Sequence, residues 1–211
     1  MTEPEPAPPT DRIPAPVLYA VFLLSGFAAI LYQLVWQRSL FRLLGTSSES
    51  VTMVVTAFML GLGLGSLAGG WVSVRSRLPL PVIFGLVEIG IGAFGFVSMP
   101  LFTWIASVTA AARGLTIGLI AFVAVLIPTL FMGGTLPVLV AYLVRRSGNV
   151  GKSVGFLYFI NTLGSAVGSL AAAFWILGHL GQGGSVLLAA AMNTTIGASV
   201  IGFHLFRGRH E

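Results

Sequence analysis

Long apolar blocks, separated by short polar or basic stretches, run through most of this chain. Six of them reach the about 20 residues that a helix needs to cross a bilayer: 17–36, 51–73, 80–105, 115–144, 153–177 and 184–206. The pattern predicts six transmembrane helices. The third and fourth blocks exceed the minimum, which leaves room for tilt or kinking. Pro128 and Pro137 stand inside the fourth, with Gly133 and Gly134 between them. A break there would free backbone groups that neighbouring helices or a cavity must satisfy.

The ends differ from the middle. Residues 1–16 hold six prolines together with Glu3, Glu5, Asp11 and Arg12. With so little to bury, this stretch reads as a disordered tail, followed by the transmembrane domain at 17–206 and a short basic tail at 207–211. The start is acidic, and the first apolar block has full spanning length, so a cleaved secretory leader is not expected. Between the first two blocks, Arg38 and Arg42 lie four apart among Leu40, Phe41, Leu43 and Leu44. Two readings stay open for 37–50: a short interfacial helix anchored by Trp36, or a first helix that extends past the bilayer.

Composition reinforces the class. Charged residues make up 8% of the chain, hydrophobic ones 56%, and the mean hydropathy is +0.97, whereas a soluble domain carries about 25% charge. Such a surface must face lipid, which excludes a soluble enzyme, a disulfide-built secreted module and a free nucleic-acid-binding domain. There is no Cys, hence no thiolate metal site or Cys nucleophile. The net charge of +5 is better read as a topology signal. Arg12, Arg75, Arg77, Arg145, Arg146, Lys152, Arg207 and Arg209 fall on the side of the N-terminus, and Arg38, Arg42 and Arg113 on the other. Positive loops stay inside, so both termini are expected in the cytoplasm.

Two helices share a string. Gly65-Ser66-Leu67-Ala68 in the second and Gly168-Ser169-Leu170-Ala171 in the fifth are offset by 103 residues, close to half the chain. In a six-span topology these helices run in opposite directions, as a 3+3 inverted repeat requires. Gly61, Gly65 and Gly69 are spaced by four along one face of the second helix. Gly164 and Gly168, with Asn161, Ser165 and Ala172, form a comparable stripe on the fifth. Lipid supplies no hydrophobic drive between helices, so close backbone approach has to hold them together; packing is the first reading of both stripes.

Glu88 is the acid placed well inside a span. An acid at the membrane centre costs about 2.5–3.5 kcal/mol on insertion scales, and such groups face the bundle interior and mark function. Gly85 and Gly92 flank it and would admit a close neighbour. It could couple proton movement, serve as counter-ion to an amine-bearing ligand, or simply hydrogen-bond a neighbouring helix. Gln33, Asn161, Thr162, Asn193, Thr194 and Thr195 are the other embedded polar groups, with structural hydrogen bonding as their default. Of these, Asn161 and Gln33 join Glu88 as candidate solute-binding residues. His179, His204 and His210 have no metal- or haem-ligand spacing, so no metal and no cofactor is expected. There is no phosphate-binding glycine loop and no Ser/His/Asp grouping, so no catalytic residue is assigned.

Tyr32-Gln33-Leu34-Val35-Trp36-Gln37-Arg38, Ala57-Phe58-Met59-Leu60-Gly61-Leu62-Gly63-Leu64-Gly65-Ser66, Pro128-Thr129-Leu130-Phe131-Met132-Gly133-Gly134-Thr135-Leu136-Pro137 and Tyr158-Phe159-Ile160-Asn161-Thr162-Leu163-Gly164-Ser165-Ala166-Val167-Gly168 follow in that order. Over about 17–206 the chain resembles the membrane part of the fused spermidine-synthase-like proteins of bacteria. Those proteins join a helical domain similar to the major facilitator superfamily to a soluble aminopropyltransferase-like domain. The resemblance implies an all-α membrane module of six helices, like half of a facilitator fold, in the bacterial inner membrane. Gly69 and Gly70 stand where the facilitator loop between second and third helices usually has an acid, which departs from gating by a charge pair. The soluble domain has no counterpart before the last residue, Glu211, so enzymatic activity is not expected of this stretch.

Two functions remain in view. One is a transporter-like module for a small solute, cationic if Glu88 is its partner, such as a polyamine; it would work as a homodimer or with a separate partner protein. The other is an accessory or scaffold subunit of a larger membrane complex that moves nothing.

Overall fold

The computed structural model describes residues 13–44, 48–109 and 114–207. Helix α1 spans Ala15–Leu44, α2 Ser48–Arg75, α3 Leu80–Val108, α4 Gly114–Ser147, α5 Val150–Ala171 and α6 Leu177–Arg207, and one π-helical turn, Ala172–Ile176, joins α5 to α6. Helices are the natural outcome in lipid, where each backbone donor and acceptor must be paired within its own segment. Five stretches are long and apolar enough to cross a membrane: Ala15–Arg42, Thr52–Arg75, Leu80–Val108, Thr116–Ser147 and Val150–Phe206. The chain is an all-α, multi-pass membrane protein. The fifth stretch takes in both of the last two apolar blocks. Within it Gly181 leaves the helical region, at φ 64° and ψ −173°, a conformation that glycine adopts readily.

The connection between α4 and α5 is chemically explicit. Gly148 takes φ 66° and donates its N–H to the Val144 carbonyl, ending α4. The Asn149 side chain then accepts the Lys152 N–H at 2.9 Å and caps α5. A left-handed glycine followed by an Asn cap turns the chain within two residues.

The helices pair as α2 with α4, α1 with α5 and α3 with α6, and glycines set each pairing. A Cβ on Gly65 would collide with the Leu130 backbone, and one on Gly69 with that of Gly134. On the other seam Gly164 faces the Leu23 backbone, and Gly168 faces Ile30 and Phe27. Contacting positions rise together in both seams, so α2 runs parallel to α4 and α1 parallel to α5. Between α3 and α6 they run oppositely: Gly85 lies against Gly197, Gly92 against Ala190 and Thr194. The two parallel seams share a register. Gly65 and Gly168 are 103 positions apart, and so are their partners Leu130 and Phe27.

Some expectations change. Trp36 is no interfacial anchor. It is fully buried, packs near Tyr32, Phe58, Phe94 and Phe102, and donates its indole N–H to Ser98 Oγ at 3.0 Å. That hydroxyl removes the reason for an indole to seek the interface. Arg38 and Arg42 ride on the end of α1, which continues to Leu44, so the extended-helix reading holds as far as the described residues go; 45–47 lie outside them. Pro128 and Pro137 do not break α4. The Thr129 hydroxyl donates to the Val125 and Leu126 carbonyls, and Thr135 to Met132, bonds within α4 itself. Of the N-terminal tail, 1–12 lie outside the described residues, but Ile13 is buried, donates its N–H to the Tyr142 hydroxyl and accepts from Arg146. Arg113, Arg209 and His210 are likewise outside the described residues. The outer surface is apolar, with Phe174 84% exposed, as a lipid-facing wall should be.

Candidate functional site

Glu88 lies one turn from Gly85 and one turn from Gly92 on α3, and both glycines admit α6. The carboxyl is 0% exposed. Ser25 on α1 donates its hydroxyl to Oε1 at 2.6 Å, and Asn193 on α6 donates its amide to Oε2. Three helices therefore tie their polar groups into one buried knot. The Asn193 Oδ1 has no hydrogen-bond partner among the described residues, and neither has the Tyr32 hydroxyl, which lies against Gly95 further along α3.

Beside the knot is a cavity of about 210 Å³ to which all six helices contribute. Its lining mixes polar Ser25, Gln33, Thr135, Asn161, Ser165 and Asn193 with apolar Ala29, Ile30, Phe58, Leu62, Ile91 and Met132. On α5 the Asn161 amide donates to the Phe22 carbonyl at 3.2 Å, and the Ser165 hydroxyl to the Gly26 carbonyl at 3.0 Å. These bonds tie the polar groups of α5 to the α1 backbone. Asn193 lines the cavity and holds Glu88, so the carboxyl acts on the space from behind that amide and Ser25.

The three candidates from the sequence thus meet at one place. Gln33 and Asn161 line the cavity, and Glu88 stands one layer behind. Sequence reasoning missed Ser25, Ser165 and Thr135, and it read Asn193 as ordinary interhelical bonding. Ser165 could have been found, because it sits one turn past Asn161 on the same small-residue stripe. A lone Ser25 in an apolar helix carries no such signal. Thr162 and Thr195 are exposed on the outer surface. Among the described residues no group of His, Asp or Glu could hold a metal ion. The 103-residue register reaches the cavity as well: Phe58 and Leu62 on α2 occupy the places that Asn161 and Ser165 occupy on α5.

No protein-family model matches the chain, and no solved structure is a significant match. Two curated proteins of Streptomyces coelicolor do match. Polyamine aminopropyltransferase 2 is 29% identical over 197 residues, and polyamine aminopropyltransferase 1 is 25% identical over 192; each match takes in 90% of this chain and 34% of the other protein. The chain is distantly similar to polyamine aminopropyltransferases. It spans about a third of the length of these relatives. The membrane helices described above are what the similarity covers.

Proposed function

We propose that this chain forms a carrier-like unit whose central cavity binds a small amine-bearing solute of the polyamine kind. The observation that carries the reading is the cavity of mixed polar and apolar lining backed by Glu88. Polar lining groups suit an ammonium group, apolar ones suit its methylene stem, and the carboxyl behind Asn193 and Ser25 supplies the compensating charge. At about 210 Å³ the space lies below the about 300 Å³ at which ligand pockets usually begin, so the solute is small or enters in part. The names of the two relatives favour polyamines over other amines.

The reading includes six crossings. At 1.5 Å per residue, the 57 residues of Val150–Phe206 would extend about 85 Å, nearly three times the about 30 Å hydrocarbon core. A reversal at Gly181 resolves this and accounts for the antiparallel α3–α6 contact. With alternating crossings, the shared register of the α2–α4 and α1–α5 seams is what a 3+3 inverted repeat would produce. Both termini then lie on the cytoplasmic side of the bacterial inner membrane. Six helices are half of a facilitator-type pathway, so the working unit is a homodimer or a complex with a separate protein.

The test is uptake of labelled polyamines into proteoliposomes by wild type and Glu88→Gln. Uptake that falls at least ten-fold in the variant is expected. Absence of uptake of any polyamine by well-folded wild type would remove the carrier. One observation favours a second reading: in both relatives the matching part is a third of a longer protein. A module that anchors or serves another subunit would show a stoichiometric larger partner after mild-detergent purification from the native membrane.

A further inference from the structure

A second cavity, separate from the central one, opens where three helix ends meet. Its volume is about 430 Å³. Tyr19 on α1, Arg146 and Ser147 on α4, and Lys152, Ser153 and Phe156 on α5 surround it. These are the ends of candidate spans, so the cavity sits at the level where hydrocarbon gives way to head groups.

Its chemistry is one-sided. Among the described residues Arg146 and Lys152 are the charged groups that line the space, and both are cations. Arg146 spends one N–H on the Ile13 carbonyl and stacks over Tyr142, which fixes the guanidinium and leaves further donors. Lys152 is in the first turn of α5, where the helix dipole favours an anion, and its ammonium makes no hydrogen bond among the described residues. Below the charged rim Tyr19 and Phe156 meet edge to face at 4.6 Å, an apolar surface that continues into the membrane. Other described residues at this end are cationic too. Arg145 donates to the Ser73 carbonyl of α2, which brings Arg75 and Arg77 to the same face.

We infer that this cavity binds the head group of an anionic phospholipid, with the phosphate between Arg146 and Lys152 and an acyl chain along Tyr19 and Phe156. A soluble phosphate would use the cations but not the aromatic floor, which opens toward lipid. Basic pockets between helices at the cytoplasmic surface are suited to such head groups.

Native mass spectrometry of protein released from nanodiscs tests this. Wild type should retain phosphatidylglycerol in preference to phosphatidylcholine. Lys152→Gln, which alters an exposed side chain, should reduce that preference about five-fold, the equivalent of about 1 kcal/mol per surface cation. Adding Arg146→Gln should reduce it about five-fold again. Arg77→Gln, on the same face outside the cavity, should leave it unchanged. Equal retention of the two lipids by wild type, or an equal loss from Arg77→Gln, would overturn the inference. So would displacement of the lipid by millimolar inorganic phosphate, which would make the occupant a soluble anion.

Discussion

The α2–α4 and α1–α5 seams are built alike and finished differently. In both, glycines spaced by four set one helix backbone against another, in registers that differ by 103 residues. Yet the α2–α4 seam is dry. Its hydroxyls bond within their own helix, as Thr129 does to Val125 and Leu126, and it faces the cavity with Phe58 and Leu62. The α1–α5 seam crosses between helices with Asn161 and Ser165 and offers those polar groups to the same cavity. A shared scaffold carries different side chains where the two seams meet the cavity. The lesson is that glycine spacing builds the frame, and departure from likeness within the frame marks the site.

The frame can be broken first. Cβ atoms on Gly65 and Gly164 would strike backbone, which cannot move aside, whereas the nearest atom to one on Gly168 is the Ile30 side chain. Gly65→Ala and Gly164→Ala should each lose about 2–3 kcal/mol, and Gly168→Ala about 1 kcal/mol, as overpacking against rigid and yielding neighbours predicts. Thermal unfolding in detergent, followed by helical circular dichroism, checks the order. Gly65→Ala or Gly164→Ala costing no more than about 1 kcal/mol would mean that the seams are not set by backbone contact.

The difference between the seams can be sharpened next. Asn161→Leu removes one cross-helix hydrogen bond, worth about 1 kcal/mol in a membrane interior. It should barely alter thermal unfolding while reducing amine uptake at least ten-fold. Phe58→Leu, at the matching place on α2, should leave uptake within two-fold. Equal effects from the pair would erase the distinction between the two seams.

The smallest effect belongs outside the seams. Nothing lies within contact of a Cβ on Gly63 or Gly70, so alanine at either should be neutral or stabilising by up to about 1 kcal/mol through helix propensity. Destabilisation beyond 1 kcal/mol at either would reveal a contact outside this chain, such as a second copy.

Much of the frame was legible in the sequence because the physics that shapes it is local and periodic. Block length gives the helices, and spacing by four gives the glycine faces. A lone acid in an apolar run has to turn inward, so Glu88 announced itself. What was not legible depended on partners far along the chain. Trp36 reads as an interfacial anchor until Ser98, 62 residues away, meets its indole N–H. Asn193 reads as ordinary bonding until Glu88, 105 residues earlier, occupies its amide.

The absence of native cysteine allows the most direct test of the central cavity. Ser165→Cys places a lone thiol in its lining, and labelling by a small cationic methanethiosulfonate reagent can be timed with and without a polyamine. The account predicts faster reaction with the cationic reagent than with a neutral one of equal size. It predicts protection by the polyamine, and loss of both the preference and the protection when Glu88→Gln is added. A thiol that reacts without regard to charge, and that no polyamine protects, would contradict it.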